Sequence, residues 1–363
     1  MRGIFQSDRF KRYLETSFFG QYFIRRQALK SFDLMAGFVY SQILLCCVKL
    51  NIFNFLKDGP KDIGRMSDFL KLDKAKFDCL FMGASAIGLI EKDEDDLIDL
   101  TVQGHIFAND KGLLALISHH EMFYRDLMEP VAFLKEKDKE TSLNRYWGYV
   151  ERRGVPSDTE LEQKTENAKR YSELMSISQP LVTDQMFSAY DFTRHASVLD
   201  VGGGKASFSI RLAKFIPGIK VANLDLPEVC EEAKKNVKRA GLIDAVKIIP
   251  SNFLEDQIPS GYDLVTLIRV LYDHSEENVV KLLRLIRKSL SSNGKLLIAE
   301  PMANNFPGIS CDAYFWFYLA LMGKGRPRSS GELIALLRDC GFSKARCLKT
   351  TLPIQTGIVL AEA

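Results

Sequence analysis

The sequence predicts an α/β protein of two domains, the second built on a mostly parallel sheet that ends in a hairpin. Three observations lead to that fold class. From residue 197 onward, short apolar runs alternate with amphipathic stretches, the pattern of a parallel sheet covered on both faces. The stretch "SVLDVGGGKASFS", residues 197 to 209, sets three consecutive glycines between the first run and the first of those helices. The last two runs, "KARCLKTT" and "TGIVLAEA", are spaced as a hairpin. At 363 residues the chain is long for one domain, and two is the natural expectation.

Composition narrows the partners. With 49 basic and 46 acidic residues, the net charge of +3 is too balanced to argue for nucleic acid. Seven cysteines, an odd number without framework spacing, imply reduced thiols and a cytoplasmic location. No CxxC pair or Cys/His cluster offers a metal site, and His119-His120 reads as a solvated or packed pair. The first thirty residues carry seven basic and two acidic side chains, and no signal-peptide core follows them. "LMAGFVYSQILLCCV" (34–48) is the most apolar stretch, but a membrane span needs roughly twenty residues. It is expected as a buried or subunit-interface helix, with membrane contact at most peripheral.

Taken in order, the first elements are helical. "DIGRMSDFLKL" and "DKAKFDCLFMGASAIGLI" read as helices, the second with Asp73 as N-cap. "EKDEDDLIDLTVQGHIF" then alternates acids with short apolar runs, as a small hairpin does. Helix, helix and hairpin outline a winged helix. That helix is mostly apolar and that hairpin acidic, which argues against DNA phosphates. A polar stretch over 137–170, with Pro156, marks the join, and the boundary is set at 145/146. "AKRYSELMSISQPLVTDQMFSAYDF" reads as a helix leading into the second domain. There the strands are "SVLDV", "IKVANLD", "AVKIIP", "YDLVTLIRV" and "GKLLIAE". The helices between them are "SFSIRLAKFI", "EVCEEAKKNVKRAG" and "SEENVVKLLRLIRKSL", with "SGELIALLRDCGF" before the hairpin.

The glycine loop fits two patterns imperfectly. A dinucleotide fingerprint, G-x-G-x-x-G, is met by Gly202 and Gly204 but has Ser207 at its third glycine. The pattern acid-x-G-x-G-x-G, which cradles S-adenosylmethionine, is met by Asp200, Gly202 and Gly204, with Ala206 in the last place. Ala206 is expected to crowd the ligand by one methyl group. In both patterns glycines let the backbone approach the ligand, and the acid ending the second strand, Asp225 in "NLDLP", accepts from ribose hydroxyls. A pyrophosphate wants bare amides at a helix start, where Asp200 is unfavourable.

Through "VLDVGGGKASFSIRLAKFIPGIKVANLDLPEV" the chain resembles small-molecule O-methyltransferases of the plant phenolic and acetylserotonin type. "DVGGG", Pro217 and "LDLP" carry the resemblance, which covers nearly the whole chain. "FDLMAGFVYSQILLCCVKLNIF", "LIRVLYDHSEE", "AEPMA" and "DAYFWFYLALMGKGRPRS" look like the family's bacterial carotenoid branch, which methylates hydroxycarotenoids of the demethylspheroidene and hydroxyneurosporene type. The resemblance implies a Rossmann-like class I methyltransferase domain over 146–363, with a seven-stranded sheet. It also implies an N-terminal winged-helix-like dimerisation domain over 1–145, S-adenosyl-L-methionine as cofactor, and a homodimer acting on an apolar hydroxylated molecule.

By the same resemblance, Asp200, Gly202, Gly203 and Gly204 line the methionine end of the cofactor. Asp225 takes the ribose hydroxyls and Leu226 lies against the adenine. Asn252, in Ser251-Asn252-Phe253, stands where the family has an aspartate near the adenine amine, with Phe253 beside it. Arg269 replaces a frequent lysine at the cofactor edge, and Met175 matches a methionine near the reactive methyl. "DAYFWFYLALMG" is either packed core or a wall for a long apolar substrate.

The catalytic position departs from the family. Its histidine–aspartate pair after the fourth strand is here Tyr272-Asp273-His274, with Tyr272 at the histidine position. A neutral imidazole, with a reference pKa of about 6.5, is a better base at pH 7 than a phenol near 10. On an extended segment Tyr272 and His274 share a face, with Asp273 opposite. Glu300 matches a further family acid, whereas a later glutamate is replaced around "GRPRS". The demand for a base is mild, because a sulfonium leaves readily and alignment alone lowers the barrier by several kcal/mol. A tertiary alcohol loses its proton late, so Tyr272 or His274 need only position it.

Overall fold

The computed structural model describes residues 16–136, 140–146, 173–304, 310–351 and 356–363. The polar stretch around Pro156 lies outside them. The chain divides into two compact units, Met1–Ser118 and His119–Ala363.

The first unit holds α1 (Phe18–Lys49), α2 (Ile52–Leu56), α3 (Ile63–Leu70), α4 (Lys74–Ala86), the strands β1 (Ile90–Lys92) and β2 (Ile98–Leu100), and α5 (Val102–Asn109). Asp62 and Asp73 cap α3 and α4 by accepting from the amides of Arg65 and Lys76. β1 and β2 pair antiparallel, and Asp93 Oδ1 closes their turn by accepting from Asp95 N and Leu97 N. Phe53, Leu56, Met66, Ile90 and Ile98 form the core of the unit.

Residues 34–48 do not stand alone. They are the second half of α1, a 32-residue helix whose side chains are mostly exposed, with Leu34, Met35 and Phe38 among them. The fifteen-residue reading stopped short because Arg25, Arg26 and Lys30 interrupt the apolar run without interrupting the helix. By length and composition α1 could cross a membrane, and only 11% of its most apolar window is buried.

A helix α6 (Lys111–Asp126) runs across the unit boundary, followed by α7 (Pro130–Lys135) and α8 (Ser142–Tyr146). The boundary set from composition, 145/146, falls inside the second unit. Polarity marks residues 137–170, but α8 packs with the second unit. Leu143 is buried there, and Asn144 Nδ2 donates to Met322 O at 2.8 Å.

The rest of the second unit alternates as expected. In order come α9 (Pro180–Ala189), β3 (Ser197–Val201), α10 (Ser207–Phe215), β4 (Lys220–Asp225), α11 (Pro227–Arg239), β5 (Val246–Pro250) and β6 (Leu264–Ile268). Then come α12 (Glu276–Ser289), β7 (Lys295–Glu300), β8 (Met302–Ala303), α13 (Ser310–Met322), β9 (Arg328–Ser329), α14 (Ser330–Asp339), β10 (Lys344–Leu348) and β11 (Gly357–Glu362). Seven strands form one sheet in the order β10-β11-β7-β6-β3-β4-β5, all parallel except β11, which runs antiparallel to both its neighbours. This is a class I methyltransferase-like sheet.

Two apolar layers cover the sheet. Val201, Leu224, Leu267 and Leu283 belong to one, and Val198, Phe208, Leu264 and Ile358 to the other. Each fully buried side chain of this size contributes about 1.5–3 kcal/mol, so the central strands form the rigid base for the loops at their ends. β4 lies on one side of β3 and β6 on the other, so the crevice for a ligand opens at the carboxyl end of β3.

Candidate active site

β3 delivers the chain into Gly202–Ala206 before α10. Asp225, at the end of β4, accepts from Gly204 N at Oδ2 (2.7 Å) and from Leu226 N at Oδ1 (2.8 Å). Asn223, buried beside it, donates from Nδ2 to Gly204 O (3.2 Å) and accepts from Ser209 Oγ (3.2 Å). A Cβ on Gly203 would collide with Asn223 Oδ1 and Asp200 Oδ2, so that glycine is demanded by the protein's own packing. Gly204, with a φ of 57°, faces open space, and there the backbone can meet a ligand closely.

The Asp200 side chain lies beneath this loop. It is wholly buried, Oδ1 accepts from Thr266 Oγ1 (2.7 Å), and Oδ2 has no hydrogen bond. Burial pushes its pKa up to about 7, against the Thr266 bond. Asp225 is pushed up to about 6 by burial, with the Gly204 and Leu226 amides pulling the other way. The Ala206 methyl, expected to crowd a ligand, is buried in the core that includes Phe208. It adopts a left-handed φ of 64°. Ala206→Gly relieves about 1–2 kcal/mol of backbone strain and loses about 0.8 kcal/mol of methyl burial. Thermal unfolding should therefore show a variant of equal or slightly greater stability.

Beside the glycine loop stand the start of α11 and the loop after β5, where adenine was expected. Leu226 is half-buried where α11 begins. Asn252 uses its amide oxygen to accept from Leu254 N (3.1 Å), while its N–H donates to Asp256 Oδ2 (2.8 Å). That oxygen closes a turn, which leaves Phe253 facing the glycine loop with its ring edge-on to His274 at 5.5 Å.

Arg269, directly after β6, is half-buried. Its Nη1 donates to Ser178 Oγ (2.8 Å), and its Nη2 to Gln179 Oε1 (2.7 Å) and Met175 O. The guanidinium thus fastens the helical residues 173–178 to the end of β6, which carries Met175 into one cluster with Tyr272, Tyr318 and Met322.

Tyr272-Asp273-His274 is not extended. Leu271–Asp273 form a 3-10 turn, so Tyr272 and His274 point apart. Tyr272 enters the cluster of Tyr318 and Met322, whereas His274 meets Phe253. Glu300 Oε2 accepts from Tyr272 N (3.2 Å). Arg328, only 1% exposed, donates to Leu271 O (2.9 Å) and His274 O (3.2 Å) and pairs with Glu276 at 3.0 Å. Gly325, with a φ of 80°, packs so tightly on Tyr272 O and Asp273 Cα that no Cβ fits.

Where "GRPRS" lacks the family's glutamate, Arg328 and Gly325 shape the turn instead. Sequence reasoning missed both, together with Asn223 and Thr266. The Ser329–Glu332 capping box was legible as S-x-x-E and could have set Arg328 immediately before a helix.

Titration of the buried groups gives a testable pH profile. Burial raises Asp200 and Glu300 to about 7 and Asp225 to about 6, each from an ordinary carboxyl value. A raised carboxyl favours the fold at low pH, and that contribution fades as pH rises through its folded value. Burial lowers His119, His120 and His274 from 6.5 to about 4. They favour the fold above 6.5, a contribution lost as pH falls towards 4. These contributions run in opposite directions over the same interval, about pH 4 to 7, and largely offset one another, so a single variant separates them: relative to wild type, the thermal midpoint of Glu300→Gln should rise between about pH 4.5 and 7 and then level off. A difference that falls with rising pH would contradict a raised Glu300.

The loop's chemistry argues against a phosphate cradle, since four of its five amides are engaged within the protein. The amides of Gly202, Gly203, Gly204 and Ala206 donate to Leu224 O, Leu224 O, Asp225 Oδ2 and Gly203 O, so none is offered to an anion. Lys205 pairs with Glu173. An open backbone at Gly204, a carboxylate at Asp225 and apolar faces at Leu226 and Phe253 fit an uncharged nucleoside with a cationic tail.

The O-methyltransferase domain family matches residues 124–343. Demethylspheroidene O-methyltransferase of Cereibacter sphaeroides is 35% identical over 93% of this chain and 87% of its own length. Its namesake from Rhodobacter capsulatus is 35% identical over 93% and 83%. The crystal structure of human N-acetylserotonin methyltransferase in complex with SAM superposes with a TM-score of 0.74 at 20% identity, over 93% of this chain and 97% of that one.

Proposed function

The chain belongs to the O-methyltransferase family, and on that premise we propose that it moves a methyl group from S-adenosylmethionine to a hydroxyl of an apolar molecule, a hydroxycarotenoid. The near full-length similarity to demethylspheroidene O-methyltransferases supports the substrate class most strongly. The cofactor supplies an electrophilic methyl group on a sulfonium. Asp225 receives the ribose hydroxyls, the backbone at Gly202–Gly204 approaches the amino-acid end, and Leu226 and Phe253 flank the base. Asp200 braces the loop from below through Thr266, while Arg269 holds Met175 near the reaction. Glu300, Arg328 and Gly325 fix the turn that presents Tyr272. Burial in the cluster shields the reacting oxygen from water, so orientation accounts for much of the rate.

The exposed aromatic and aliphatic surface of α1 supports a homodimer, which sedimentation would detect as twice the chain mass. All seven cysteines are free, in keeping with a reducing cytoplasm. Incubation with methyl-labelled S-adenosylmethionine should label a 1-hydroxycarotenoid but not the parent hydrocarbon. Labelling of a simple phenol alone would overturn the carotenoid assignment and keep the methyltransferase one.

A further inference from the structure

One buried polar cluster has no part in the mechanism above. His119 and His120 are neighbours on α6, and each ring meets a tyrosine of α13. His119 Nε2 lies 2.9 Å from Tyr318 Oη, and His120 Nε2 lies 2.9 Å from Tyr314 Oη. The two tyrosine rings are nearly parallel at 5.8 Å, and Tyr146 of α8 sits 5.0 Å from the His119 ring. His119 and Tyr318 are both buried, where polar groups are costly unless bonded. Packing alone would be met by apolar side chains of that size.

The position of the inner pair points to a use. Tyr318 packs in the same cluster as Tyr272 and Met175, where burial first and its neighbours Tyr314, Tyr272 and Asp273 after it push its hydroxyl well above the ordinary phenol range. His274 has turned away to Phe253. The imidazole on the Tyr272 side of the turn is therefore His119, reached through one phenol.

We propose that Tyr318, backed by His119, receives the acceptor hydroxyl and takes its proton during methyl transfer. The assignment rests on the methyltransferase reading. As the acceptor oxygen bonds the methyl carbon, the electron pair of the broken carbon–sulfur bond stays on sulfur. The hydroxyl proton passes to Tyr318 Oη, and the Tyr318 proton passes to Nε2 of His119. Tyr318 is the catalytic residue, and His119 acts through it as a positioning residue and final proton acceptor. A strong base is unnecessary, because an alcohol oxygen that has already gained a methyl group is itself a strong acid. What the step needs is a neutral imidazole, and burial keeps His119 neutral. The outer pair, His120 and Tyr314, takes no part in the step.

The test uses the full chain, a 1-hydroxycarotenoid and its parent hydrocarbon. Tyr318→Phe and His119→Gln should each lower kcat at least about tenfold, with S-adenosylhomocysteine affinity within about twofold of wild type. His120→Gln should stay within about threefold in kcat. With S-adenosylhomocysteine bound, Tyr318→Phe should weaken binding of the hydroxycarotenoid about tenfold and leave the hydrocarbon unaffected. His119→Gln, which keeps a hydrogen-bonding group, should lower kcat and leave KM unchanged. Unchanged kcat in both variants, equal weakening for both carotenoids, or loss of S-adenosylhomocysteine binding in both would overturn the assignment and make the pair structural. A wild-type protein that methylates no hydroxylated acceptor would instead sink the reading beneath it.

Discussion

Replacing Asp225 by alanine weakens S-adenosylhomocysteine binding about 100-fold, as read by calorimetry. The carboxylate has two duties at the carboxyl end of β4. It anchors the glycine loop through Gly204 N and Leu226 N, and it is the acceptor poised for ribose hydroxyls. Hydrogen bonds to a charged group contribute about 1.5–3 kcal/mol each, and losing two of them together costs about 3 kcal/mol. Asp225→Asn keeps one acceptor and should lose less, about tenfold. Stability moves the other way. Asp225 is buried and raised in pKa, so the ligand-free alanine variant should unfold no earlier than wild type near pH 8. A variant that binds normally would remove Asp225 from the site.

Gly203→Ala should destabilise the protein by about 3 kcal/mol or more, through overpacking and a broken buried network. The added Cβ would meet Asn223 Oδ1 and Asp200 Oδ2, both on strands with no room to retreat. To accept it, Asn223 must give up Ser209 and Gly204, leaving buried polar atoms unsatisfied. The loop then moves, so ligand affinity falls along with the thermal midpoint. The contrast with Ala206→Gly is informative, because both exchange one methyl group within the same five-residue loop. One inserts a methyl into a polar contact, and the other removes one from an apolar core. Equal effects from the two would contradict the packing described.

Much of the fold was legible because its signals are local. The strands of the second unit are short apolar runs, and their helices show the apolar stripe that packs on a sheet. The glycine loop and Asp225 announce themselves through spacing and residue type. The reaction end was legible only in part. Tyr272-Asp273-His274 read as extended because nothing within those residues dictates a turn. The turn is held by Glu300 and by Arg328, which lies more than fifty residues along the chain. The bonds that hold Arg269 were not legible, because its partners, Ser178 and Gln179, lie on a distant helical segment. His119-His120 read as a solvated or packed pair; it is packed, and the tyrosines it meets come from α13 nearly two hundred residues later. Long-range hydrogen bonds leave no periodicity behind them.

Parallel calorimetric titrations of the purified full chain with S-adenosylhomocysteine and with NAD test the central claim most directly. Committed loop amides and an acceptor carboxylate predict saturable binding of S-adenosylhomocysteine, one per chain, and no heat from NAD. Binding of NAD, with none of S-adenosylhomocysteine, would contradict the account.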